Sequence, residues 1–175
     1  MKDESGFHLS VVGMPSLRAL APQGRIRFDS QFRATTWEET TNDAGDDAAE
    51  HRVHILVAED DPTTRMILRN MLEKAEFAVT TANDGTEAVA ALRNGAFDLV
   101  LLDIQMPGMN GIDVARHVRR AAGGAKIPVI AVTSETEDDQ VDAMLAVGFD
   151  GIMGKPVRRD DLIRVILAAL AHAAA

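Results

Sequence analysis

Five residues in this chain pair a reactive side chain with one recurring placement, at or just past the end of a short apolar run. Glu59 and Asp60 follow "VHILVA" (Val53 to Ala58), Asp103 follows "DLVLL" (Asp98 to Leu102), Thr133 closes "PVIAVT" (Pro128 to Thr133), and Lys155 lies beyond "GIM" (Gly151 to Met153). Each has an ordinary reading when taken alone. An acid after a strand commonly caps the next helix, as Asp61 before Pro62 is expected to do, so Asp61 is left out of the set. Thr133 would begin a turn, with Ser134 and Glu137 spaced as a capping box, and a single lysine is usually just exposed. The set gains meaning only if one fold brings those ends together. Carboxylates crowded within a few ångströms repel one another and call for a divalent cation. An all-oxygen donor set favours Mg²⁺ or Mn²⁺ over zinc. An Asp carboxylate beside such an ion can attack a phosphoryl group in line, with the ion, an ammonium and a hydroxyl holding the transferred oxygens.

The elements that must position these residues are legible in the periodicity. The runs named above, together with "FAVTT" (Phe77 to Thr81), are short and continuously apolar or β-branched, as strands buried on both faces are. Helical stripes separate them: Ile67, Leu68, Met71, Leu72 and Ala75; Ala88, Val89 and Leu92; Val114, Ala115 and Val118; Leu162, Val165, Ile166 and Ala169. Asp61-Pro62 and Asp84 with Glu87 mark two helix starts. Five strands alternating with five helices predict an α/β fold, a flavodoxin-like (βα)5 doubly wound parallel sheet in the order 2-1-3-4-5. In such a sheet the site forms beyond the carboxyl ends of the strands, at the switch point beside the first and third. Glu59, Asp60, Asp103, Thr133 and Lys155 all belong to that end.

Residues 1–51 are of a different kind. They show no sustained periodicity, and "EETTNDAGDDAAE" (Glu38 to Glu50) is too polar and acidic to offset its ordering entropy. The expected division is an N-terminal extension, 1–51, largely disordered, and one folded domain, 52–173. A single strand over Gly24 to Ser30 is the one element anticipated in the extension.

Composition narrows the function. Of 175 residues, 46% are hydrophobic and 26% charged, and the net charge is -9, which argues against sequence-independent nucleic-acid binding. The absence of cysteine excludes disulfides, thiolate metal sites and cysteine nucleophiles. The longest apolar tract, Val165 to Ala175, is far below the roughly 20 residues that span a bilayer. A cytoplasmic protein without membrane insertion is expected.

Taken in order, the motifs "ILVAEDDPTTR" (Ile55 to Arg65), "DLVLLDIQMPGMNG" (Asp98 to Gly111), "IPVIAVTS" (Ile127 to Ser134) and "GKPV" (Gly154 to Val157) resemble the receiver domain of two-component response regulators. The resemblance covers residues 53 to about 172. It implies that Asp103 accepts a phosphoryl group from a phosphohistidine on a histidine kinase or histidine phosphotransfer protein. It implies further that Asp60, Asp103 and the backbone carbonyl of Gln105 ligate Mg²⁺, with Glu59 acting largely through water. Thr133 and Lys155 would contact the phosphoryl oxygens, and Lys155-Pro156 would be a cis peptide. The partner would dock on the first helix, where Met66 falls outside the core stripe with Arg65, Arg69 and Asn70 around it. One departure stands out: Ile152 occupies the position where the family usually carries a Tyr or Phe that swings inward with the Thr.

The chain ends soon after the fifth helix, so the expectation is a receiver without an output domain, standing alone or derived from a hybrid histidine kinase, as a monomer or weak dimer. Two other readings remain open. A Mg²⁺-dependent phosphatase of the haloacid-dehalogenase type would place an acid two residues after the nucleophile, where this chain has Gln105. A phosphate-independent pseudo-receiver would not need the full set of acids, Thr and Lys. The protein is expected not to be an enzyme beyond assisting its own phosphorylation and dephosphorylation.

Overall fold

In the computed structural model of the chain, residues 7–8, 52–121, 127–134 and 138–173 are described. In chain order the elements are β1 (Phe7–His8), β2 (His54–Ala58), α1 (Pro62–Glu73), β3 (Ala78–Ala82), α2 (Gly85–Asn94), β4 (Leu99–Leu102), α3 (Gly111–Arg120), β5 (Val129–Thr133), α4 (Asp138–Val147), β6 (Gly151–Gly154) and α5 (Arg159–Ala173). The sheet order is β1-β6-β5-β4-β2-β3. Strands β2 to β6 are all parallel, and counted from His54 they run 2-1-3-4-5, the doubly wound order expected from the alternation of elements. β1 pairs antiparallel at the β6 edge, Phe7 opposite Met153 and His8 opposite Ile152. Two residues are too few to show a period of two, so nothing in the sequence marked this strand. The strand anticipated over Gly24 to Ser30, the expected disorder of the extension and the Ser134–Glu137 capping box lie outside the described residues.

Continuous apolar runs make sense because both faces of the sheet are covered. Successive side chains point to opposite faces. Leu56, Val100, Leu102, Ala131 and Ile152 therefore pack with Ala88, Val114, Val118 and Met144 of α2, α3 and α4. Ile55, Val57, Leu101, Ile130 and Met153 pack with Leu68 and Leu72 of α1 and Leu162, Val165 and Ile166 of α5. Helix starts follow the sequence. The Asp61 carboxylate accepts from Thr64 N at 2.7 Å with Pro62 at the first helical position. The Asp84 carboxylate accepts from Glu87 N at 2.8 Å. Glu87 reaches back to Asn83 N at 2.8 Å, one residue before the cap itself. Among the described residues no helix is long and apolar enough to cross a membrane.

The first helix corrects one expectation. Ile67, placed in its core stripe, is 44% exposed, whereas Leu68 and Leu72 are buried. Each helical residue turns by about 100°, so an arc centred on Leu68, Met71, Leu72 and Ala75 leaves Ile67 at its flank. Met66, 57% exposed, lies farther round, outside the stripe as anticipated.

The amino end of the sheet is tied by polar side chains that the apolar pattern did not reveal. Asp98 and Asp150 each accept the N–H at the start of a neighbouring strand, from His54 N and Val129 N, both at 2.7 Å. Arg119 of α3 donates to Ile127 O at 2.8 Å and to Gly148 O at 2.6 Å and 2.9 Å, and pairs with Asp150 at 2.5 Å. None of these ties involves the extension, whose described contact is two residue pairs at the edge of β6. A net backbone hydrogen bond contributes about 0.5–1.5 kcal/mol. A chain beginning at His51 should therefore keep one cooperative urea transition and lose at most about 3 kcal/mol. Loss of cooperativity would show that the extension is part of the domain.

Candidate functional site

Each site residue is placed by the way its strand stops. β2 ends at Ala58, and Glu59 is the next residue, its N–H donating to Ala82 O of β3 at 3.2 Å. β4 ends at Leu102, and Asp103 N donates to Ala58 O at 2.9 Å. β6 ends at Gly154, and Lys155 N donates to Thr133 O, the last residue of β5, at 2.9 Å. Three reactive residues are thus the first beyond their strands, each anchored through its N–H to a neighbour, and the fourth is the last rung of its own.

The side chains converge accordingly. Lys155 Nζ lies 2.8 Å from Asp103 Oδ2 and 2.8 Å from Glu59 Oε2. Carboxylate oxygens of Glu59, Asp60 and Asp103 all lie within 4.8 Å of one another. Glu59 and Asp103 are buried at 1% and 5% exposure, and Asp60 faces solvent. Thr133 is fully buried at the end of β5. Gln105 is exposed, and its N–H donates to Asp103 Oδ1 at 3.2 Å, which sets its backbone beside that carboxylate. Lys155-Pro156 is cis.

Burial pushes the Glu59 carboxyl above the usual carboxylate range, and the negative charge of Asp103 adds to this while the Lys155 ammonium opposes it. For Lys155, burial alone would favour the neutral amine. The adjacent Asp103 and Glu59 carboxylates more than reverse that and raise its pKa, keeping the ammonium charged. The Thr64 N–H that Asp61 caps holds its carboxyl below the usual carboxylate range.

A divalent cation fits this arrangement. One ammonium among three carboxylates leaves negative charge unbalanced by the groups in contact. Glu59 Oε2, although buried, accepts no hydrogen bond. The Lys155 ammonium approaches it at 2.8 Å as an ion pair, and that one cation is shared with Asp103. Hard oxygen donors of this kind suit Mg²⁺ or Mn²⁺.

The loop after Asp103 is held by close packing. Gly108 adopts φ +75°, which favours glycine. A Cβ at Gly111 would fall 2.2 Å from Asp103 O, so no larger residue allows α3 to start against the site. Asn110 caps α3 by accepting from Asp113 N at 2.9 Å.

One feature of the site was not anticipated. Arg65, expected beside Met66 on the outer surface of α1, turns inward instead. Its Nη1 donates to Glu59 O at 2.6 Å and to Asp60 O at 3.1 Å. The available signal was a basic residue in the first turn of a helix, where the dipole disfavours a cation.

Comparison with known proteins agrees with this geometry. Residues 55–167 match the family model of the response regulator receiver domain. The chain is 37% identical over 119 residues to the DNA-binding response regulator MtrA of Mycolicibacterium smegmatis, covering 68% of this chain and 51% of that protein. It is 34% identical over 155 residues to the sensor histidine kinase RcsC of Salmonella typhi, covering 87% of this chain and 15% of that protein. The chain therefore spans about half of one relative and a small part of the other. The receiver domain of sensor histidine kinase PA1611 from Pseudomonas aeruginosa superposes with a TM-score of 0.64 at 27% identity, covering 68% of this chain and 98% of that one. That structure holds a magnesium ion coordinated in its active-site cleft. With the doubly wound sheet, the acids at its carboxyl end and a family match across the folded region, this chain belongs to the response regulator receiver family.

Proposed function

We propose that residues 52–173 are a phosphoacceptor module of a cytoplasmic two-component phosphorelay, with residues 1–51 as an extension, and that Asp103 is the acceptor. The observation that supports this most directly is the Lys155 ammonium, 2.8 Å from both Asp103 and Glu59, with Asp60 completing the acidic cluster. In the transfer, an Asp103 carboxylate oxygen forms a bond to phosphorus as the P–N bond of a partner phosphohistidine breaks. The electron pair of that bond returns to the imidazole nitrogen, which takes up a proton, and an acyl phosphate remains on Asp103. Lys155, held charged by its carboxylate neighbours, passes from Asp103 to the new phosphoryl oxygens, and the Thr133 hydroxyl takes another. Glu59, Asp60, Asp103 and the backbone carbonyl of Gln105 would hold Mg²⁺, which supplies positive charge against the phosphoryl oxygens.

The partner is a histidine kinase or histidine phosphotransfer protein docking on α1 and the loop after Lys155. Met66 and Ile67 are adjacent large apolar side chains exposed on α1, beside the loop that carries Glu59 and Asp60. Single exposed apolar residues carry little meaning, but two together beside a site that must meet another protein suit an interface anchor.

Incubation with acetyl phosphate and Mg²⁺ should give a stoichiometric adduct, stable to acid and labile to base. Continuous release of phosphate at enzymatic rates would instead indicate a phosphatase. Asp103→Asn keeps the shape but removes the nucleophile, so labelling should vanish, and substantial labelling elsewhere in that variant would refute the assignment.

Asp60→Asn removes one anion from the cluster. Its thermal midpoint in EDTA should be at or above that of the wild type, because repulsion is relieved, while the upward shift produced by Mg²⁺ should shrink. A lower midpoint in EDTA would contradict the repulsion argument.

Met66→Asp should slow transfer from the phosphohistidine partner at least tenfold and leave acetyl-phosphate labelling nearly unchanged. Equal loss with both donors would mean damage to the site, and no loss with either would place docking elsewhere.

A further inference from the structure

Where β2 leaves the sheet, two backbone oxygens lose their ladder. Ala58 O still accepts from Asp103 N, and Glu59 N still donates to Ala82 O, but the oxygens of Glu59 and Asp60 lie beyond the last paired rung. The Glu59 oxygen is partly buried and so requires a partner, while the Asp60 oxygen is open to solvent. Arg65 reaches both from one nitrogen, Nη1 lying 2.6 Å from Glu59 O and 3.1 Å from Asp60 O. These are charge-assisted bonds, stronger than those between neutral groups.

The location of this arginine is otherwise unfavourable. The first turn of α1 is the positive end of the helix dipole, where acids are favoured, and α1 has none there. A residue set against its local preference implies a gain elsewhere. Here the gain falls on two consecutive residues whose side chains form two-thirds of the acidic cluster.

We propose that Arg65 is a positioning residue, whose guanidinium fixes the Glu59–Asp60 backbone so that both carboxylates stay aimed at Asp103 in the spacing a divalent cation needs. Side-chain direction follows from the backbone on which it is mounted. A bridge between successive carbonyls restrains the peptide joining the two acids. Asp61 N, donating to Glu59 Oε1 at 3.3 Å, and Arg65 N, donating to Asp61 O at 2.9 Å, close the rest of the turn around the same point. The inference rests on the cation site proposed above.

The test uses the full chain with Arg65→Met, which keeps length without donors, and the polar Arg65→Gln, which removes the charge and serves if the methionine variant fails to fold. Arg119→Met is the control, since Arg119 also bridges carbonyls, those of Ile127 and Gly148, but at the opposite end of the sheet. Mg²⁺ affinity is measured by calorimetry, and hydrogen exchange over residues 59–61 by mass spectrometry in EDTA. Acetyl-phosphate labelling is followed against Mg²⁺ concentration. Loss of Arg65 should raise the Mg²⁺ dissociation constant five- to tenfold and speed exchange over residues 59–61. Labelling should return to near the wild-type rate at saturating Mg²⁺. Arg119→Met should leave the dissociation constant within twofold. Wild-type affinity and exchange in a folded Arg65 variant would overturn the proposal, as would an equal loss of affinity in Arg119→Met. Labelling that stays low at saturating Mg²⁺ would also overturn it, because that would mean a role in the transfer itself. Should the wild type bind no Mg²⁺, the cation site fails, and exchange alone decides against the clamp if residues 59–61 remain protected.

Discussion

The site depends on where four parallel strands stop. β2, β4 and β6 each release the chain one residue before a charged side chain, and β5 ends on a hydroxyl. Because parallel neighbours share a direction, these ends lie at one edge of the sheet, and hydrogen bonds from Glu59, Asp103 and Lys155 to adjacent strands hold the released residues in place. The carboxylates are therefore brought close by the ladder, whatever their charge. Their repulsion is a cost imposed on the fold, and the Lys155 ammonium offsets part of it at 2.8 Å from two of them. What remains unbalanced is negative charge of the kind a divalent cation would offset. Stability and chemistry pull in opposite directions here, as expected where a fold is bent to a function.

Both halves of that arrangement were readable in the sequence, for related reasons. Burial on both faces forces an unbroken apolar run, so each strand end appears as the point where apolar residues give way to a charge. That change of character marks Glu59, Asp60, Asp103 and Lys155, while the alternation of such runs with helical stripes predicts the sheet order. Ile67 shows where the pattern loses resolution. An apolar residue at the flank of a helical stripe has the same signature as one at its centre, and only the placement of α1 on the sheet decides between them. Met66 was correctly separated because it lies farther round the helix.

What was not legible shares a different character. Arg65, Arg119, Asp98 and Asp150 act on backbone groups of residues distant in the sequence or beyond the end of a strand. Periodicity reports which faces are buried, but it carries nothing about which unpaired carbonyl or N–H needs a partner. Polar side chains read as surface until the fold shows what they reach. The two residues of β1 escape notice for a simpler reason, since their pairing is set by the free edge of β6 rather than by any pattern of their own.

Ile152 shows how the same framework constrains change. It is 2% exposed in β6 and packs among the side chains of the α2, α3 and α4 face. Where the family usually carries an aromatic ring, this side chain is smaller and lies within the core, so any rearrangement there has a shorter lever. A shift of Thr133 toward a phosphoryl group would meet β6 first through the backbone, because Thr133 pairs with Gly154 and its carbonyl accepts from Lys155 N at 2.9 Å. The same bond carries Lys155, whose ammonium lies 2.8 Å from Asp103. In this chain the link between the hydroxyl and the ammonium is thus a rung of sheet, short and stiff. It ties the Thr133 and Lys155 backbones directly to each other.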